Sequence, residues 1–310
     1  MSNHAFPYLS GGTFLQQPQR SQAPERRYCV AGIAWDGAVT NRPGARFGPS
    51  AIRRASQMLC DAGHPFFDIS PLDHLCDAGD LLHPNTSLAA MREALQPQAE
   101  ALIAAHHMAW LGGDHSITLP LLRAYRKVLG RPLALVHFDA HCDTWKDHFG
   151  EPSGHGTWTW EALQEGLVVA EATVQIGIRS SGAKAAREYV NAVGGRVFTA
   201  RELRGAESPA QLAFVIDEIR RRVRAAAAPV YLTIDIDCLD PAFAPGTGTP
   251  EPGGLTTAQV LTLLEELADL DFAGMDCVEV APVYDVAELT VNAASTFVWT
   301  YLAGRIAHTG

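Results

Sequence analysis

Short apolar runs alternate with amphipathic stretches along most of this chain. The run at 229–236, PVYLTIDI, is β-branched and aromatic with little polar interruption, and it reads as an interior strand of a parallel sheet. Similar runs predict strands over 29–35, 108–112, 133–138, near 174–178, near 196–199 and over 273–280. Between them the spacing predicts a helix opening near Ser50 and others over 87–107, 118–129, 209–227, 256–269 and 286–305. Such alternation means βαβ units, hence an α/β fold whose mainly parallel sheet is covered by helices on both faces. No Gly/Ser-rich or Pro-rich linker divides the chain, which is read as one domain over 28–310 behind an irregular arm at 1–27. The arm carries the apolar anchors Phe6, Tyr8, Phe14 and Leu15, which suit either a loose terminus or packing on a neighbouring subunit.

In open parallel sheets, chemistry collects beyond the carboxyl ends of the strands. Here strand 108–112 runs into Gly112-Gly113-Asp114-His115-Ser116, and strand 133–138 into Asp139-Ala140-His141-Cys142-Asp143. The 229–236 strand ends in Asp235-Ile236-Asp237, and strand 273–280 carries Glu279. Asp235 and Asp237 stand at i and i+2, which on a strand puts them on one face. Burying them unpaired costs several kcal/mol each, and no Lys or Arg occurs nearby in the sequence to neutralise them. A divalent metal answers this. The hard donors His115, Asp139, His141, Asp143, Asp235 and Asp237 favour Mn²⁺, with Ni²⁺, Co²⁺ or Fe²⁺ accepting the same ligands. The four carboxylates match two divalent ions better than one, and two ions roughly 3.5–4 Å apart hold a water as hydroxide for hydrolysis.

Charge and composition narrow the partners. The net charge of −10 over 310 residues disfavours nucleic acid and anionic membranes and suits a small, cationic substrate. Six cysteines without a CxxC spacing read as free thiols. The N-terminus lacks the pattern of a signal peptide and no run of about 18 apolar residues occurs, so a cytoplasmic protein is expected.

GGDHS, DAHCD, IDIDCLDPAFAPGTGTPEPGG and GMDCVEVAPVYD, in that order, resemble the signatures of the ureohydrolases, the arginase and agmatinase family, with the agmatinase-like branch nearest. The resemblance extends over about 29–305 and takes in GARFGPSAIR and VQIGIR. It implies a three-layer αβα fold, arginase-like, assembled as a trimer or hexamer. It also implies hydrolysis of a guanidino C–N bond to urea and an amine, with agmatine as the default substrate. On matching positions, His115, Asp139, Asp143 and Asp235 would hold one manganese, and Asp139, His141, Asp235 and Asp237 the other. His155 matches the histidine that carries a proton to the leaving amine, and Glu279 the glutamate that receives the guanidinium, so His155, Glu279 and the ligand Asp143 are the expected catalytic residues. A carboxylate that fixes the guanidinium plane and a histidine titrating near neutrality suit those roles chemically.

Two stretches depart from the pattern. Gly156-Thr157-Trp158-Thr159-Trp160 follows the histidine, where agmatinases usually have Pro-Phe or Met-Phe after the Gly-Thr, and Ser180-Ser181-Gly182-Ala183-Lys184 offers no carboxylate to a distal ammonium. Trp158 and Trp160 are therefore either packing residues or cation–π faces for the substrate. In the second case the substrate would be guanidine, a biguanide such as metformin, or a guanidino acid such as 4-guanidinobutyrate or 3-guanidinopropionate, for which Lys184 is a candidate partner. A reading of another class is a non-catalytic partner subunit of a hetero-oligomer.

Overall fold

The 229–236 run forms a central strand of an eight-stranded sheet in the computed structural model, which describes residues 12–147 and 149–309. In chain order the strands are β1 (Tyr28–Gly32), β2 (Leu75–Asp80), β3 (His107–Leu111), β4 (Leu133–Phe138), β5 (Val168–Ile178), β6 (Arg196–Thr199), β7 (Val230–Asp235) and β8 (Phe272–Val278). Their order across the sheet is β2-β1-β3-β8-β7-β4-β5-β6, and every pairing is parallel. The helices are α1 (Gly48–Ser56), α2 (Leu88–Ala105), α3 (Thr118–Leu129), α4 (Trp158–Gln164), α5 (Lys184–Arg187), α6 (Tyr189–Ala192), α7 (Pro209–Ala226), α8 (Thr257–Glu266) and α9 (Leu289–Thr309). The expected α/β class and the layered αβα arrangement are both present.

Alternation along each strand sorts the core into two layers. On β7, Val230, Leu232 and Ile234 pack with α1, α7, α8 and α9, whereas Tyr231 packs with α2, α3 and α4 on the other face. Helix ends follow the local chemistry: Ser208 caps α7 in a capping box with Gln211, and Pro209 fills the first turn, where no amide partner is needed.

Three local expectations change. The 229–236 strand stops at Asp235, and Ile236–Cys238 forms a tight turn, so Asp237 is aimed by that turn and not by strand alternation. β2 was not anticipated. The arm is not wholly loose: Phe14 and Leu15 are buried in the core of their own chain, with their amides donating to Asp77 Oδ2 and Ser56 Oγ, each at 2.7 Å. Phe6 and Tyr8 lie outside the described residues. All six cysteines are free, and all but Cys60 are buried.

Candidate active site and metal centre

Because β3, β8, β7 and β4 are adjacent and parallel, the loops after them leave one edge of the sheet together. His115 sits on the turn after β3, where Asp114 caps the turn through the Ser116 amide. Its Nδ1 faces Asp139 Oδ2 at 3.2 Å, Asp143 Oδ2 at 3.3 Å and Asp235 Oδ2 at 3.2 Å. A second focus lies around His141, whose Nδ1 is 3.3 Å from Asp139 Oδ1 and 3.0 Å from Asp237 Oδ2. The six expected ligands thus converge on two points that share Asp139.

The donor set fits a pair of divalent cations. Among the described residues, every ion-pair partner of Asp139, Asp143, Asp235 and Asp237 is a histidine. Without a cation the cluster is electrostatically stressed. Burial and the charge of Asp139 push the Asp143 carboxyl up to about 8, and burial with the charges of Asp237 and Asp139 raises Asp235 well above its usual range. Asp139 moves the other way: burial opposes ionisation, but hydrogen bonds from His115, His137 and His141 hold it well below the ordinary carboxylate range. Burial would lower His115, yet Asp139 and Asp143 raise it to about 9. Divalent cations would relieve this stress at its source.

A row of buried polar side chains crosses four strands beneath the ligands, and it escaped the sequence reading. Gln175, His137, Thr233 and Asp276 are successive register partners on β5, β4, β7 and β8. Gln175 Nε2 donates to His137 Nδ1 at 3.1 Å, so the Nε2–H of His137 donates to Asp139 Oδ2 at 2.8 Å. Thr233 Oγ1 donates to Asp276 Oδ1 at 2.5 Å and accepts from His115 Nε2 at 2.8 Å. That bond keeps a proton on Nε2 whatever the state of Nδ1, so a cation that displaced the Nδ1 proton would meet a lone pair already aimed at the carboxylates. Thr118 and Tyr231 also donate to Asp276, each at 2.8 Å. A signal was present: His137 and Thr233 each stand two positions before a ligand, on the face that the ligand continues.

Glu279 follows β8 in the left-handed region, φ +63. Its Oε1 accepts from the His115 amide and from His155 Nδ1, both at 2.8 Å, while Oε2 is buried with no hydrogen-bond partner among the described residues. A backbone strained in this way and a carboxylate oxygen kept unpaired mark a site awaiting a donor. On the other side of the His155 ring, Nε2 accepts from the Thr40 amide at 3.1 Å. Burial lowers the His155 pKa, but the charge and hydrogen bond of Glu279 raise it to about 9. Thr40 Oγ1 lies 2.9 Å from the same Nε2 and can accept from it, so the ring has a partner there whether Nε2 is bare or protonated, while Nδ1–H faces Glu279.

A cavity of about 460 Å³ opens over this floor. His141, Asp143, Asp235 and His155 reach it from below, and Trp145, Asp147, Phe149, Ser180, Ser181 and Glu251 line its walls. Of the two readings of Trp158, the structure favours packing over contact with substrate. Trp158 is fully buried, its indole Nε1–H donates to Asp143 Oδ2 at 2.7 Å, and neither it nor Trp160 lines the cavity. Lys184 is exposed, lies 3.7 Å from Glu188 Oε2 and is also absent from the cavity walls. The side chains that suggested a biguanide or a guanidino acid thus do not line the cavity, and among the described lining residues the aromatic side chains other than histidine are Trp145 and Phe149.

Comparison with known proteins agrees with this geometry. The profile of the arginase family matches residues 26–304. An agmatinase of Cronobacter sakazakii is 43% identical over 278 residues, 88% of this chain and 85% of that protein. One of Chromobacterium violaceum is 42% identical over 86% of this chain and 80% of that protein. A crystal structure of a hypothetical agmatinase from Burkholderia thailandensis superposes with a TM-score of 0.86 at 37% identity, covering 96% of this chain and 92% of the other. Proclavaminate amidino hydrolase from Streptomyces clavuligerus gives 0.89 at 36% identity, over 98% and 100% of the two chains. The chain belongs to the arginase family, whose members hold a dinuclear metal site, and within it to the agmatinase-like ureohydrolases, which are metal-dependent amidinohydrolases.

Proposed function

We propose that this enzyme hydrolyses agmatine to putrescine and urea, with Mn²⁺ as its metal. The observation that carries the choice of substrate is the charge of the cavity walls: among the described lining residues there are carboxylates, Asp147 and Glu251, and no Lys or Arg. A guanidino acid would bring its own carboxylate into that field, whereas the distal ammonium of agmatine is attracted by it, and Trp145 and Phe149 add apolar and cation–π surface.

His115 and Asp143 would hold one ion, His141 and Asp237 the other, with Asp139 and Asp235 shared. When bound, the ion pair supplies a nucleophile from water at neutral pH. The chain's own residues do the rest. Glu279 stands behind the cavity lining, joined to it by His155, which donates to Oε1; its buried, unpartnered Oε2 is the oxygen left to receive a guanidinium N–H. An added Cβ at Gly248 would stand 3.6 Å from that oxygen, so glycine keeps the approach open. His155 holds a proton on Nδ1 beside Glu279, placed to pass to the departing amine. Residues 28–310 act as one catalytic domain of a trimer or hexamer in the cytoplasm. No helix among the described residues is long and apolar enough to cross a membrane.

The test is urea release by Mn²⁺-loaded protein across agmatine, 4-guanidinobutyrate, 3-guanidinopropionate, arginine, guanidine and metformin. Agmatine is expected to lead in kcat/KM by about tenfold or more, the value of one unopposed charge contact of roughly 1.4 kcal/mol. A guanidino acid in the lead would overturn the assignment.

A further inference from the structure

Asp143 is the one carboxylate of the cluster whose backbone is strained. Its φ of +50 lies in the left-handed region, which costs a non-glycine residue on the order of 1 kcal/mol or more. Surrounding structure must therefore hold both its chain and its side chain. The stretch Trp158-Thr159-Trp160 does so. The amides of Thr159 and Trp160 donate to the Asp143 carbonyl at 3.1 and 3.2 Å, and the Trp158 indole N–H donates to its Oδ2 at 2.7 Å. That same oxygen faces His115 Nδ1 at 3.3 Å.

The indole ring also makes contacts of its own. It lies over His115 with centroids 4.7 Å apart, and it meets His137 edge-on at 4.9 Å. One side chain therefore touches two of the proposed ligands and the histidine that orients a third, Asp139. An indole N–H donates at any pH and never accepts, so it fixes the carboxylate plane while leaving lone-pair capacity on Oδ2 for a cation. Phe or Met at this position would fill space but could not make that bond.

We propose that Trp158 is a positioning residue of the metal centre, its indole N–H pinning the Asp143 carboxylate and its ring fixing His115 so that the two meet one cation together. The inference rests on the two-metal reading of the cluster. It gives the first tryptophan of WTW a role turned toward the metal, in place of contact with substrate.

Isothermal titration of metal-stripped protein with Mn²⁺ separates the possibilities. Trp158→Phe keeps a ring and removes the N–H. It is expected to weaken one of the two ions by about tenfold and to leave the other within about twofold, as loss of an orienting partner does. At saturating Mn²⁺, KM for agmatine stays within about twofold, because Trp158 does not reach the cavity. Trp158→His, which retains a ring N–H, recovers part of the lost affinity. Unchanged binding of both ions, equal weakening of both, or a raised KM with unchanged metal affinity would each overturn the proposal. If the Phe variant does not fold, Trp158→His against Trp158→Met makes the same comparison. Failure of the wild-type protein to bind two ions would sink the metal reading itself, and so is told apart from failure of this inference.

Discussion

Thr233 shows how much a neutral side chain can matter here. Its hydroxyl donates to Asp276 and accepts from His115, both within the buried row. Thr233→Val keeps the shape, strips Asp276 of one of its three hydroxyl donors and leaves His115 Nε2–H without an acceptor. The expected cost is about 1–3 kcal/mol of stability, with about tenfold weaker binding of one Mn²⁺. Denaturant melts and metal titration of the variant check this, and wild-type values in both would show that the row is idle. Residues of this kind divide what could be read from the sequence. The six proposed ligands, His155 and Glu279 were legible because each lies in or next to a strand-end motif of unusual composition. Gln175, His137, Thr233 and Asp276 were not, since one polar residue inside an apolar strand has no meaning until the register places four of them side by side. Trp158 stands out by residue type alone, and the sequence leaves packing and substrate contact equally open, because an aromatic side chain gives no sign of which way it points.

At the level of elements, the loop after β3 is the tightest join in the site. Gly113 donates to Ile33 and accepts from the Glu279 amide, each at 2.8 Å, so the extension of β1 and the end of β8 meet on it. A Cβ there would come within 1.7 Å of the Trp35 carbonyl oxygen, a backbone atom with nowhere to go. Gly113→Ala is therefore expected to lose about 1–3 kcal/mol or more and to displace Glu279, reducing kcat/KM as well as the denaturant midpoint. A variant that melts and turns over like wild type would disprove that close approach. Most elements were legible for a simple reason: interior parallel strands are continuous apolar runs, and strands 133–138 and 196–199 fall where the runs do. β2 was missed because LCDAGD carries Asp and Gly where a strand should carry branched residues. It is held by tertiary contacts, above all Arg53, which binds both oxygens of buried Asp77 at 2.8 and 2.9 Å. Asp237 reached the site by a different route from the one its i, i+2 spacing implied, because a turn took over where the strand ended.

For the whole molecule, the cluster makes stability depend on pH in opposite ways with and without metal. In metal-free protein Asp143 is raised from 3.8 to about 8, and His115 from 6.5 to about 9. Both groups hold protons more tightly folded than unfolded, so their contributions are fully present below the unfolded pKa values. They are lost as pH rises through the folded ones. Chelated protein should therefore lose thermal stability from about pH 4, where Asp143 begins to count, to about pH 9, most steeply between about pH 6.5 and pH 8, where both groups contribute. Mn²⁺ displaces the same protons and supplies the missing positive charge. Its affinity therefore grows with pH, and the stabilisation it gives through binding the native state alone grows as well. Thermal melts at pH 6, 7.5 and 9, with chelator and with saturating Mn²⁺, should diverge, the gap between the two widening toward alkaline pH. Parallel curves would mean that the cluster is not the titrating unit, and a chelated protein more stable at pH 9 than at pH 6 would contradict the raised carboxyl and imidazole groups directly.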